Sequence, residues 1–160
     1  RHDSLIPLSR QHQYALMLCL RINRGLPEHG HDQNWLREKR EQVFQFFEGD
    51  LAPHFTAEEE VLFPAMREQE GAALLLDELL TEHRKLEALA LRMRSYEGGP
   101  LAAALKELAV SLEKHIRKEE RQLFPIYEQQ VSAGLARTVE QEIINHIGTA
   151  LHPRNPDLLK

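Results

Sequence analysis

The chain has 160 residues, 42% of them apolar, with 20 Lys and Arg against 25 Asp and Glu. That length suits one compact domain burying about 70% of its unfolded surface, and a net charge of −5 with basic residues scattered among acidic ones excludes the basic stripe of a nucleic-acid binder. The longest apolar run, Tyr14 to Leu20, is far short of the ~20 residues that span a bilayer, so neither a membrane helix nor a signal peptide is expected. A single cysteine, Cys19, rules out an intrachain disulfide and fits a reducing cytoplasm. Nine histidines are the unusual feature of the composition.

Glycine and proline cluster between long segments rich in Leu, Ala, Glu, Arg and Gln, the punctuation of a helical protein. A first helix is expected over Leu5 to Leu26, followed by a polar loop from Pro27 to Gln33. Asn34 is a candidate cap for a second helix running towards Gln69, with Pro53 and Pro64 kinking or locally breaking it. Gly71 separates this from a third helix, Ala72 to Tyr96, which Gly98, Gly99 and Pro100 end. The fourth runs from Leu101 to Gln130 with Pro125 disturbing it, and a short fifth covers Ser132 to His146. Leu75, Leu79, Leu86, Leu89 and Met93 recur at helical spacings, as do Leu101, Leu105, Leu108 and Leu112. The expected fold is all-α: an up-down-up-down four-helix bundle over about 5–130, with an additional C-terminal helix and tail over 131–160, all in one domain.

An internal repeat points to the chemistry. His54 to Met66 (HFTAEEEVLFPAM) and His115 to Tyr127 (HIRKEERQLFPIY) agree at six of thirteen positions, and His12 to Ile22 matches His83 to Met93 at the His, two Leu and an Arg. Each half therefore carries a His on its first helix and HxxxE on its second. Residues four apart share a helix face, so His54 with Glu58, His115 with Glu119, and His83 with Glu87 each present an imidazole and a carboxylate to one region. With His12 these make seven candidate ligands from four helices. Counting residues from the interhelical turns at 1.5 Å each lets all four helices bring them to one layer. Four imidazoles and three carboxylates exceed what one zinc ion takes. Mixed N and O ligation suits iron or manganese, and carboxylates can bridge two ions. The order is His then Glu at i+4, unlike the Glu-x-x-His of ferritin-like sites, and no HExxH is present.

The order His, HxxxE, His, HxxxE, with LFP after both HxxxE units, resembles the hemerythrin family and in particular its bacterial HHE cation-binding domains. The resemblance implies a four-helix bundle around two iron ions, oxo- or hydroxo-bridged, with His12, His54, His83 and His115 as terminal ligands and Glu58 and Glu119 as bridging carboxylates. Its oxygen carriers have a fifth His where this chain has Glu87. If Glu87 ligates, two ferrous ions, three carboxylates and one hydroxide sum to zero, which favours the ferric state and the reduction of bound dioxygen over its reversible carriage. The expected function is binding or reduction of a small ligand (dioxygen, peroxide or nitric oxide), in oxidative or nitrosative stress defence. The alternative is a non-catalytic module for iron or oxygen sensing, storage or delivery.

Of the other histidines, His29 and His31 read as loop residues, and His2, His146 and His152 have no motif partners. Cys19, seven residues after His12, reads as a small buried apolar residue. Phe63, Phe124 and Tyr127 are expected to wall off the site, with Tyr14 or Tyr127 as donors towards a ligand in it.

Overall fold

The computed structural model describes residues 1–159. Its helices follow the sequence pattern closely, with boundaries set by local chemistry. A 3₁₀ turn, Asp3–Leu5, leads into α1, Ile6–His29, which continues through Pro27 where a loop was expected. Gly25 lets α1 approach the next helix, because a Cβ there would meet the Trp35 ring at 2.2 Å. α2 covers residues 33–66 as Gln33–Phe46, a widened π turn Phe47–Leu51, Ala52–Ala57, a second π turn Glu58–Leu62, and Phe63–Met66. Its cap is Asp32, whose carboxylate accepts from the amides of Asn34 and Trp35; Asn34 itself is already helical. α3 is Ala73–Arg92, extended by a 3₁₀ turn to Ser95. α4 spans residues 98–130 as Gly98–Lys118, a π turn Glu119–Leu123, and Phe124–Gln130, so Gly98, Gly99 and Pro100 form its first turn. α5, Ala133–Ile147, is capped by the Ser132 hydroxyl and closed by Gly148 at φ 69°. Among the described residues there is no β-strand, and no helix is long and apolar enough to cross a membrane.

The prolines neither end nor break their helices. Pro53, Pro64 and Pro125 each enter the helix just after a π turn. A proline inside a helix lacks a donor and its ring meets the carbonyl four residues back. Here a widened i to i+5 turn ends just before each proline, closed by the bonds from Phe63 N–H to the Glu58 carbonyl and from Phe124 N–H to the Glu119 carbonyl. Such turns favour functional positions, and here two of the three start at the motif glutamates.

Short connections turn the chain back on itself, and α1, α2 and α3 all pack against α4. Their buried stripes are close to heptad spacing: Leu5, Leu8, His12, Ala15, Cys19 and Ile22 on the first arm, and Leu76, Leu79, His83, Leu86, Ala90 and Met93 on the third. The histidines occupy core positions of those stripes. The apolar interior accordingly divides into two clusters. One holds Leu18, Cys19, Phe46, Leu89, Met93 and Leu105. The other holds Leu8, Leu62, Met66, Leu76, Leu79 and Phe124, and α5 closes it with Val139, Ile143 and Ile147. The layer between them is polar.

Candidate metal centre

Nine polar or charged residues are buried among the described residues, and six are motif residues: His12, His54, Glu58, His83, His115 and Glu119. They form two groups, His12, His54, Glu58, Glu119 and Glu58, His83, His115, Glu119, each with ligand atoms within 4.8 Å of one another. The two glutamates belong to both. Glu58 turns Oε1 to His54 Nε2 at 2.8 Å and Oε2 to His83 Nε2 at 3.1 Å. Glu119 turns Oε1 to His115 Nε2 at 2.9 Å and Oε2 to His12 Nε2 at 3.0 Å. Each carboxylate thus spans the gap between the two histidine pairs.

Glu87 does not join them. Its side chain is 42% exposed and pairs with Arg84 at 3.3 Å. The i, i+4 relation to His83 holds, but α3 is regular α-helix there and Leu86, 2% exposed, takes the inward place next to it. Contrary to the expectation of a third carboxylate and of a neutral site built on it, the structure does not bring Glu87 to the buried layer, which contains four imidazoles and two carboxylates. The tyrosines are also engaged elsewhere: Tyr14 donates to the Ala150 carbonyl at 2.7 Å, and the Tyr127 hydroxyl bonds the Ser4 hydroxyl at 2.8 Å. Among the remaining histidines, His2 bonds Ser4, His29 stacks on Trp35, His146 pairs with Glu60, and His31 and His152 are exposed.

The imidazoles are fixed from outside by four residues that motif spacing did not single out. His12 Nδ1 donates to Glu120 Oε1 at 2.7 Å, His54 Nδ1 to Gln11 Oε1 at 2.8 Å, His83 Nδ1 to Glu59 Oε2 at 2.8 Å, and His115 Nδ1 to Glu82 Oε1 at 2.8 Å. The four bonds close a ring around the bundle. α1 holds the histidine of α2, α2 that of α3, α3 that of α4, and α4 that of α1. A signal for this was present in the repeat, since each acceptor either precedes a first-helix histidine (Gln11, Glu82) or follows a motif glutamate (Glu59, Glu120). Each carboxylate of the ring is backed by a cation: Arg1 on Glu120 at 2.9 Å, and Arg84 and Lys118 in short contacts on Glu59 and Glu82. With Nδ1–H committed outward, every Nε2 faces inward, the arrangement in which an outer acceptor orients an imidazole for a metal.

Aromatic rings complete the walls. The phenylalanine of each LFP unit lies over a histidine of the next helix: Phe63 over His83 at 5.6 Å and Phe124 over His12 at 5.6 Å. Phe55 also stacks on His83, at 3.8 Å. Cys19 is buried in the neighbouring apolar cluster, where burial pushes its thiol up to about 12.

Charge and hydrogen bonding inside the layer do not balance without cations. Both oxygens of Glu58 and of Glu119, with Nε2 of His83 and His115, are buried and have no hydrogen-bond partner of acceptable geometry, although carboxylate oxygens and ring nitrogens lie about 3 Å apart. Lone pairs converge there, which is costly unless a positive charge sits between them. In the metal-free protein protons supply it. Burial works against charge on His83 and His115, but the Glu119 and Glu58 carboxylates outweigh it and raise them to about 10 and about 9. Burial likewise opposes charge on His12, which contacts with Glu119, Glu120 and Glu58 raise. Burial would raise Glu58 and Glu119 too, yet the surrounding imidazoles hold both below the usual carboxylate range. Divalent cations can replace those protons, so the donor set fits a metal: imidazole nitrogen plus carboxylate oxygen, matching iron or manganese.

A family model for the hemerythrin HHE cation-binding domain matches residues 7–147. No curated protein and no solved structure matches the chain significantly. The matched segment takes in nearly all of the bundle, the six residues of the two buried groups and α5, and the chain belongs to the hemerythrin HHE cation-binding domain family.

Proposed function

We propose that the protein holds two iron ions in one dinuclear centre and uses them to bind or reduce a small ligand, dioxygen, peroxide or nitric oxide, in defence against oxidative or nitrosative stress. The observation that carries this reading is the sharing of Glu58 and Glu119 between two histidine pairs, one oxygen of each carboxylate facing each pair. His12 with His54 would hold one ion and His83 with His115 the other. Bound iron supplies one-electron chemistry and open coordination positions for the small ligand.

The chain's own residues set the conditions. Four terminal imidazoles and two carboxylates leave fewer than six protein donors per ion, so coordination space remains for an exogenous ligand. With Glu87 outside, two ferrous ions, two carboxylates and a hydroxide carry a net charge of +1, so the protein does not force the ferric state by anionic ligation. Phe55, Phe63 and Phe124 keep bulk water from the imidazole faces. The ring of outer acceptors fixes the Nε2 directions before any metal arrives, which lowers the cost of binding.

Anaerobic loading with ferrous iron, metal counting, and optical spectra after addition of dioxygen, peroxide or nitric oxide test the proposal. Two irons per chain and a ligand-dependent spectrum are expected. One metal per chain, or a preference for zinc alone, overturns it. Metal-dependent binding of a protein partner with no turnover would move the chain into the sensing, storage or delivery class.

A further inference from the structure

A groove of about 600 Å³ opens between α3 and α4, lined by Glu82, Lys85, Leu86, Leu89, Lys114, His115 and Arg121 among others. Its volume is in the range of small-molecule sites. Leu86 and Leu89 form an apolar floor, 2% and 4% exposed, and the methylene stems of the lysines extend it. Lys118 and Arg117 in the wall are neutralised by Glu78, Glu82 and Glu113. Lys85, Lys114 and Arg121 make no ion pair among the described residues and stand at the rim. Glu107 is the carboxylate of the lining outside those pairs, so on a chain of net charge −5 three cations face one carboxylate around an apolar floor, and His115 of the buried layer forms part of the same wall.

We propose that this groove is a binding site for a small amphipathic organic anion, a medium-chain carboxylate in its simplest form. The chain of the ligand lies over Leu86 and Leu89, and its carboxylate reaches Lys85, Lys114 or Arg121. Its position matters because Lys118, in the same wall, bonds Glu82, and Glu82 holds His115 Nδ1 at 2.8 Å. Lys118 is thus two contacts from His115, and His115 itself lines the groove, so a bound anion lies on the side of the His83 and His115 pair only.

Octanoate is the probe, titrated calorimetrically into metal-free and metal-loaded protein, with acetate and octanol as arms carrying the charge or the chain alone. Saturable binding of one octanoate per chain is expected in both forms, with acetate and octanol at least about tenfold weaker, as the loss of one charge-assisted contact or of the apolar contact implies. In imidazole NMR spectra the His115 ring should respond and the His12 ring should not. Lys85→Glu combined with Lys114→Glu, both exposed helical positions, should weaken octanoate about tenfold or more with the helical circular dichroism unchanged; Arg121→Gln provides the same test if the double variant folds poorly. Absence of saturable octanoate binding, octanol binding as tightly as octanoate, or unchanged affinity in a folded charge variant overturns the proposal. None of these readouts requires metal, so their failure leaves the dinuclear reading standing, and a failed iron count leaves the groove standing.

Discussion

The two halves of the buried layer occupy equivalent positions of a repeated sequence, yet their surroundings differ. In the first, His12 is held by a carboxylate, Glu120, and His54 by an amide, Gln11. In the second, both imidazoles are held by carboxylates, Glu59 and Glu82. His83 also stacks with both Phe55 and Phe63, whereas His12 stacks with Phe124. A carboxylate accepting from Nδ1–H makes Nε2 a stronger donor to a metal than an amide does. The difference teaches that a duplicated motif need not give duplicated surroundings: four identical imidazoles are made unequal by what stands behind them, and a metal ion offered to both halves should bind the second more tightly.

The shared carboxylates give the largest expected effect and test whether the halves depend on one another. Glu119→Gln should weaken metal at both positions, by more than the roughly 10–100-fold typical of an outer-partner mutation, as measured by metal content after desalting. Retention of one full equivalent would show that the halves are separable. Next in size, Glu82→Gln should cost the second half about 10–100-fold in affinity, and Gln11→Glu should bring the first half towards the second. Stepwise metal titration followed by calorimetry reads both; two indistinguishable sites in the unaltered protein would break the comparison at its root.

Acidity sharpens it further. In the metal-free protein His83 and His115 titrate at about 10 and about 9, above the ordinary ~6.5. Their contribution to stability is fully present below about pH 6.5 and is lost as pH rises through those values. The lowered carboxylates Glu58 and Glu119 contribute in the opposite sense, present above about pH 4.3 and lost as pH falls. The metal-free melting temperature should therefore peak between about pH 4.3 and 6.5 and decline towards pH 10. Loaded protein should lack that alkaline decline, because metal has already displaced the protons, and should melt higher at neutral pH in proportion to its metal affinity. Matching pH curves for the two forms would mean that these imidazoles are not ligands. The smallest effect belongs to Glu87→Gln, expected to leave metal content unchanged and stability within about 0.5 kcal/mol; a lost equivalent of metal would return Glu87 to the ligand set.

Much of this was legible in the chain. The spacing of Leu, Ala and Met produced the four long helices and the fifth, and the repeat located six of the buried ligand-type residues, because a heptad-like stripe and a duplicated motif are local properties of sequence. Its errors were also local in origin. Asn34 and Pro27 looked like boundary residues, but Asp32 supplies the cap and Pro27 is carried within α1. The three inner prolines marked real local disturbances, which take the form of π turns in helices that continue past them.

What the sequence by itself determined was which residue types stand on the inward stripe of each helix, since 3.6 residues per turn fixes which positions share a face. Only the tertiary structure decided which of those positions reach the centre. Glu58 and Glu87 each stand four residues after a histidine, and one is fully buried while the other is turned to Arg84, because Leu86 takes the inward place on α3. The ring through Gln11, Glu59, Glu82 and Glu120 was equally beyond local spacing: each of its bonds crosses from one helix to the next, and such a bond exists only once four helices are packed at a common depth.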